Sequence, residues 1–340
     1  MRSPYSLFSN QSVSIPPVEV APTWYLAWGA IDSACEGIAW RDNQIAIALP
    51  HTQSQSPLAL SPTLQFVVVG DVWLSNREEL LRRLGVEPKA SLKSDCQVVA
   101  QLWERWGVET LELLVGMYGL AVWDRERQIL WLGRDRVGAR TLYYTTEGAT
   151  RWIAPQLRTL APYRSKDLDL VALRDYLCCA FVPGGQTLWQ QVREVRPGTS
   201  LRLPGETTQV YWQVKEQITA VDQPLEWHGE RLRSLLEQVV QEYLPPGEPV
   251  GAFLSGGLDS SCITALAANH DSPVHTYSIH FGADYPNELE FSSLVAEHCQ
   301  TQHHILEITP AQMWEHLPET MAYLDDPIGD PLTVPKLAKS

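Results

Sequence analysis

The sequence predicts an α/β protein in two parts, an α+β layered half and then a doubly wound parallel sheet. Three observations carry this. Up to about Gly133, short strand-like runs alternate with only two helical stretches, the pattern of a layered α+β domain. From His228 onward, strands and helices alternate, as in a parallel sheet. Between one of those strands and its helix stands Ser255-Gly256-Gly257-Leu258-Asp259-Ser260-Ser261, a turn at which such a protein can hold a phosphate.

The chain has 340 residues, so two domains are the default. Its 44% hydrophobic content can supply sizeable cores. A formal net charge of −14 argues against nucleic acid as a partner. No apolar run approaches the ~20 residues of a membrane helix, so no membrane partner is expected. Met1-Arg2-Ser3-Pro4 lacks the apolar core of a signal peptide. Six cysteines lie scattered without a Cys-x-x-Cys pair, which indicates neither a zinc site nor a disulfide framework. The expected location is the cytoplasm. Thirteen tryptophans, mostly single, read as packing.

In the first half, residues 1 to about 22 read as a loose arm rich in Ser, Pro and Asn. Strands are expected at Trp24 to Trp28, Gly37 to Trp40 and Gln44 to Leu49. Pro50 to Pro62, with three prolines, reads as a loop. Leu64 to Val69 is a continuous β-branched apolar run, hence a buried strand. Helices are expected over Arg77 to Leu84 and Asp95 to Trp106. A strand pair follows, Tyr118 to Trp123 and Ile129 to Gly133, joined by a polar turn.

Val214 to Trp227 is polar and reads as a linker, dividing 1–213 from 228–340. His228 to Tyr243 has helical periodicity, with Leu232, Leu235, Val239, Val240 and Tyr243 expected inward. Then come strand Val250 to Leu254, helix Cys262 to Asn269, strand Val274 to Phe281, helix Glu288 to Gln300, strand His304 to Ile308 and helix Ala311 to Leu324.

The turn at Ser255 to Ser261 has a chemistry of its own. Two glycines let the backbone bend and approach a ligand closely. The first N–H groups of the next helix lack intrahelical partners and face its positive dipole end. Three serines add hydroxyls, and Asp259 adds a carboxylate that makes sense if Mg²⁺ bridges it to phosphate. The plainer reading is an ordinary turn and helix cap. The string differs from the Walker P-loop, having shorter glycine spacing and no Lys-Ser or Lys-Thr. Ser-Gly-Gly-x-Asp-Ser instead resembles the pyrophosphate loop of enzymes that cleave ATP to AMP and pyrophosphate.

A second set of motifs lies upstream. Gly70-Asp71 with Asn76-Arg77-Glu78-Glu79-Leu80 is similar to the Asn-Gly-Glu and Arg-Glu-Leu of asparagine synthetase glutaminase domains. Gly116 to Asp124, Arg134 to Tyr144, Tyr176 to Pro183, Arg196-Pro197-Gly198 and Tyr211-Trp212 resemble later stretches of the same domain. Taken singly, these residues read as strand cores, an Arg–Asp pair and turn glycines. In order, and ahead of the pyrophosphate loop, they resemble the asparagine synthetase family from about Phe66 to Val334. The resemblance implies an amidotransferase sandwich of the Ntn-hydrolase type joined to a partial Rossmann-like synthetase domain. It implies ATP on Ser255, Gly256, Gly257, Leu258, Asp259, Ser260 and Ser261, with Asp259 holding Mg²⁺. It also implies adenosine contacts from Phe253 and Ile279, two positions that otherwise read as sheet core.

The chain departs from that family in three places. Family members begin Met-Cys-Gly and use the freed cysteine as nucleophile, whereas position 2 is Arg2. Cys35 is the nearest thiol and, being internal, reads as structural. In the glutamine pocket the family Asn is Val69 and its Glu is Asp71, while Asp95 matches the aspartate that holds the glutamine amine or else caps its helix. At the far end, Leu324-Asp325-Asp326-Pro327-Ile328-Gly329-Asp330-Pro331 matches a family motif, but the second pyrophosphate loop that follows it in the family is absent. The expectation is therefore an amide-forming ligase without its own glutaminase. It would act on ATP, a carboxylate such as aspartate, and ammonia or another amine. A separate C-terminal half or a homo-oligomer is an expected partner. Two alternatives stand beside this: an inactive nucleotide- or partner-binding fragment, and an intramolecular cyclase similar to β-lactam synthetases or lasso-peptide cyclases.

Overall fold

A computed structural model describes residues 24–29, 37–49, 56–86, 92–216, 223–244, 247–270, 273–282, 288–330 and 333–334. Arg2 and Cys35 lie outside the described residues.

The first unit is a sandwich of two six-stranded antiparallel sheets. In chain order its elements are β1 (Tyr25–Gly29), β2 (Ile38–Arg41), β3 (Ile45–Ala48), β4 (Leu58–Leu60), β5 (Phe66–Leu74), α1 (Arg77–Leu84), α2 (Asp95–Trp106), α3 (Thr110–Leu113), β6 (Gly116–Asp124), β7 (Ile129–Arg134), β8 (Tyr143–Glu147), β9 (Thr150–Ala154), α4 (Leu170–Cys179), β10 (Arg193–Glu194), β11 (Thr199–Leu203) and β12 (Thr207–Val210). One sheet runs β10-β8-β9-β1-β3-β2 and the other β12-β11-β7-β6-β5-β4.

The apolar run of β5 shows why the layers form. Successive side chains point to opposite faces. Val67 and Val69 enter the core between the sheets, with Trp24, Ile47, Trp123 and Leu132. Phe66 and Val68 face outward, into a second core closed by α1 and α2 through Leu80, Val98, Leu102 and Trp103. A sheet buried on both faces needs apolar residues at every position, so the run shows no alternation. A third core lies on the far side of the other sheet, where Tyr143, Trp152 and Ala154 meet Leu157 and Leu160. Each large side chain so buried contributes roughly 1.5–3 kcal/mol.

Three expectations for this unit change. The prolines around Leu58 do not prevent a short edge strand, since β4 pairs with β5 through Leu58–Val69. β5 does not stop at Val69 but runs through Gly70-Asp71 to Leu74, paired with β6 along its whole length. Arg134 and Asp135 do not pair with each other. The Arg134 guanidinium bonds Glu194 at 2.9 Å and donates to the carbonyls of Arg140, Gly138 and Val195. The Asp135 carboxylate, fully buried, accepts from five backbone N–H groups, those of Tyr118, Val137, Gly138, Ala139 and Arg140.

The second unit comprises α5 (Leu225–Tyr243), β13 (Val250–Phe253), α6 (Leu258–Ala268), β14 (Val274–His280), α7 (Leu289–His298), β15 (Gln302–Glu307) and α8 (Pro310–Tyr323). α5 begins at Leu225, inside the stretch read as linker. The three strands are parallel, in the order β13-β14-β15. Because strand order follows chain order, α6 and α7 lie on one face and touch each other. Winding among the described residues therefore runs in one direction only. Leu254, Val274, Thr276 and Ser278 are buried beneath those helices.

The helix α5 departs from its periodicity. Of the five residues expected inward, only Val240 is buried; it packs with Ala267 and Val274. Leu232, Leu235, Val239 and Tyr243 remain 41–58% exposed.

Candidate functional site

The turn after β13 is built from two different glycines. Gly256 has φ +89°, a conformation that L side chains rarely adopt. A Cβ there would also stand 2.9 Å from the Glu288 carbonyl oxygen and 3.0 Å from both the Phe291 Cβ and the Ser292 nitrogen. Gly257 is ordinary in its backbone, at φ −70° and ψ 162°, and is the N-cap of α6. A Cβ on Gly257 would meet only the Ser255 hydroxyl, at 3.3 Å.

The serines brace this turn. Gly257 N–H donates to Ser255 Oγ at 3.2 Å, and the Ser255 and Ser260 hydroxyls are 3.0 Å apart. Ser260 and Ser261 each donate back to the Gly257 carbonyl, at 3.2 and 2.7 Å. No side chain caps α6, so the N–H groups of its first turn point outward from a positive dipole end. Asp259 is exposed beside them. This arrangement can hold an anion of phosphate size, with a hard cation on Asp259.

Register assembles the rest of the candidate site. Phe253 pairs with Tyr277, and Ile279 stands two residues further along the same face of β14. Phe253 is 56% exposed and Ile279 half-buried, so the reading of both as sheet core gives way to one of a partly open face.

The field around the loop escaped the reading of motifs, although a count of charges reveals it. From Ser234 to Pro335 there is no Lys or Arg, against fifteen Asp or Glu and seven of the chain's nine His. Backbone dipoles, hydroxyls and a bound cation are what this segment can offer a phosphate chain.

The residues matched to a glutamine pocket are held by internal contacts. Asp95 is ion-paired with Arg77 and accepts from the Leu74 N–H at 2.8 Å. It does not cap its helix; Ser94 does, in a reciprocal box with Gln97. Asp71 pairs with Arg140 at 3.2 Å, and Val69 is buried between the sheets. Gly70 is imposed by sheet crowding, since a Cβ there would stand 2.7 Å from the Leu120 Cβ. The nearby Cys96 thiol donates to the Gly70 carbonyl at 3.5 Å, and burial pushes its pKa well up.

The two units meet largely through residues of the quoted motifs, a contact that the sequence did not foretell. Tyr143 donates to Asp326 Oδ2 at 3.0 Å, Arg158 N–H donates to Asp325 Oδ1 at 3.3 Å, and Gly329 N–H donates to the Ala180 carbonyl at 2.7 Å. Trp73 packs on Tyr243 with ring centroids 4.7 Å apart. Burial raises the pKa of Asp325, Asp326 and Glu194 above the usual carboxylate range. Partial compensation comes from Arg158 at Asp325, from Tyr143 at Asp326 and from Arg134 at Glu194.

Comparison with known proteins finds two family models in this chain. Residues 33–212 match the glutamine amidotransferase domain model and residues 231–340 the asparagine synthase model. A relative from Mycobacterium bovis is 27% identical over 329 residues, covering 91% of this chain and 49% of its own. Asparagine synthetase [glutamine-hydrolyzing] 1 of Bacillus subtilis is 28% identical over 249 residues, covering 71% of this chain and 39% of its own. The chain thus spans half or less of the length of these relatives. Among solved structures, the glutamine phosphoribosylpyrophosphate amidotransferase from B. subtilis aligns at 14% identity and a TM-score of 0.36, over 74% of this chain and 59% of that one. By the two family models it matches and the asparagine synthetase relatives that cover most of its length, the chain belongs to the asparagine synthetase family.

Proposed function

We propose that this chain contributes the ATP site of an amide-forming ligase. ATP binds with its phosphates on Ser255 to Ser261 and its adenosine toward Phe253 and Ile279. A carboxylate substrate, aspartate or a relative of it, attacks the α-phosphate to give an acyl-adenylate and pyrophosphate. An amine then displaces AMP. The domains divide as a degenerate amidotransferase unit over 1–213 and a synthetase unit from about 228. The observation that supports this best is the uncapped α6 N-terminus behind a turn whose Gly256 tolerates no side chain.

Asp259 is the residue that would hold Mg²⁺. The fit is good: an exposed carboxylate stands beside outward N–H groups in a segment with no Lys or Arg. When bound, the ion neutralises phosphate charge. The serines position the turn, and the N–H groups stabilise the charge developing on the departing pyrophosphate.

Glutamine is not the amine source in this reading. Both aspartates of the matched pocket are paired with arginines of the same chain, and a buried valine replaces the asparagine. Free ammonia or an amine on the same substrate takes its place. The remainder of the synthetase domain carried by the longer relatives is the expected partner in catalysis. Calorimetry with ATP, with and without Mg²⁺, tests the reading. Mg²⁺-dependent binding that weakens in Asp259→Asn is expected, and binding of equal strength with no Mg²⁺ would overturn it.

A further inference from the structure

The open face of the parallel sheet carries a histidine pair that the nucleotide site does not use. Register pairs His275 with Gln302 and Tyr277 with His304, so these side chains share one face. Nδ1 of His275 stands 3.2 Å from Nε2 of His304, at an exposed position. The two rings are nearly parallel, inclined by 11° with centroids 5.5 Å apart. The Tyr277 ring stacks on His304 at 4.9 Å and limits how it turns.

We propose that His275 and His304 form a two-imidazole site for a late first-row divalent ion of the Zn²⁺, Ni²⁺ and Cu²⁺ class. Two nitrogens each about 2.0–2.1 Å from one ion, at a right or tetrahedral angle, stand roughly 2.9–3.4 Å apart. The observed separation lies inside that range. In the free pair one imidazole donates to the other. On binding, the donor ring moves its proton to its far nitrogen, and each ring turns by roughly 35–40° from this head-on arrangement so that both lone pairs meet at one point.

The charge distribution supports the site independently. From Ser234 to Pro335 there are fifteen carboxylates and no Lys or Arg, so a divalent ion meets favourable potential and no ammonium or guanidinium from this segment. Imidazole ligands favour Zn²⁺, Ni²⁺ and Cu²⁺ over Mg²⁺. Among the described residues no three His, Cys, Asp or Glu converge, so the chain supplies two ligands and water completes the shell. The ion would pin β14 to β15 near the start of both strands, away from the loop that follows β13. The inference does not depend on the nucleotide reading.

Calorimetry and thermal unfolding with Ni²⁺ alone test it, using the full chain in a Cys178→Ser/Cys179→Ser/Cys262→Ser background that removes the exposed thiols among the described residues. One equivalent of Ni²⁺ should bind and raise the unfolding temperature. His275→Ala and His304→Ala should each weaken binding at least tenfold, while His298→Ala, at an exposed histidine elsewhere, should leave it unchanged. Should the alanine variants fail to fold, electron paramagnetic resonance of Cu²⁺ on the parent chain should show two coupled nitrogens. Undiminished Ni²⁺ binding in both alanine variants, an equal loss in His298→Ala, or coupling to fewer than two nitrogens would overturn the proposal.

Discussion

The Tyr143 phenol donates a 3.0 Å hydrogen bond to Asp326, 183 residues further along the chain. It ties the sandwich to the segment after α8. Burial raises the Tyr143 pKa well above its ordinary value, so the phenol stays a donor throughout the accessible pH range.

This contact should respond to pH. Asp325 and Asp326, which face the sandwich, both have raised pKa values, with burial as the leading cause. Such acids hold a proton better docked than free, so they favour docking at the acid end and oppose it as pH rises through the raised values. Hydrogen exchange at the Gly329 amide, which donates to Ala180, reports the docked state. Protection should fall as pH rises from the carboxylate range toward neutrality, once intrinsic exchange is corrected. Tyr143→Phe should weaken docking by about 1–3 kcal/mol, because it leaves a buried carboxylate oxygen short of a donor. Unchanged protection in that variant would count against the contact.

The two loop glycines should behave differently. Gly256→Val meets a left-handed backbone and three atoms within 3.0 Å, so nucleotide binding should be lost and the unit destabilised by several kcal/mol, on the order of 2–4. Gly257→Ala keeps a backbone that any residue adopts and meets only a hydroxyl at 3.3 Å. It should fold normally and weaken ATP binding by crowding the phosphate. Calorimetry on both variants, with circular dichroism as a control for folding, separates the cases. Equal ATP affinity in Gly256→Val and the parent would make the stretch a turn and nothing more.

Glutamine should not be hydrolysed. Both aspartates matched to the family's glutamine pocket are already engaged, Asp95 by Arg77 and Asp71 by Arg140. Glutamate release measured against a no-protein control is the check, and release well above that control would mean that these pairs open for substrate.

Asp135 should be the most sensitive polar position of the sandwich. Asp135→Ala leaves five backbone N–H groups without their acceptor and should cost roughly 3–5 kcal/mol. Asp135→Asn should do little better. Oδ1 accepts three of those bonds and Oδ2 two, so either amide orientation sets an NH₂ against donors. Urea denaturation measures both variants. A loss under 1 kcal/mol in Asp135→Ala would show that other acceptors fill the gap.

Local signals made the helices of the sandwich legible. α1 and α2 have the ends their periodicity predicts, because the polar residues Asn76 and Ser94 precede them and Gly85 and Gly107 follow them. β4 was hidden because Pro57 and Pro62 flank a strand of only three residues. β5 was read short because Gly70-Asp71 is turn-like in isolation, and only pairing with β6 shows it extended. Strands β8 to β12 and helices α3 and α4 were not anticipated as elements. In the second unit the strand and helix order was legible, since it depends on local pattern. Burial was not, because it depends on what covers each face: the apolar stripe of α5 and the ring of Phe253 look inward in sequence and stand exposed in space. The Ser255 to Ser261 turn was legible as a motif. Which glycine carries the strain was not, because that is set by α7, whose residues lie more than thirty positions away.

That last dependence has an evolutionary side. The atoms nearest to Gly256 belong to the carbonyl of Glu288, the side-chain root of Phe291 and the amide of Ser292. Two of the three are main chain, so no substitution at those positions can make room. Only a shift of the whole helix could do so, and α7 is anchored between its two strands. A lineage is therefore free to vary the face of α7 turned to solvent, while its first turn acts as a fixed wall that keeps glycine at position 256, whether or not the loop binds a ligand. Retention of this glycine across descendants would be evidence of architecture before it is evidence of catalysis.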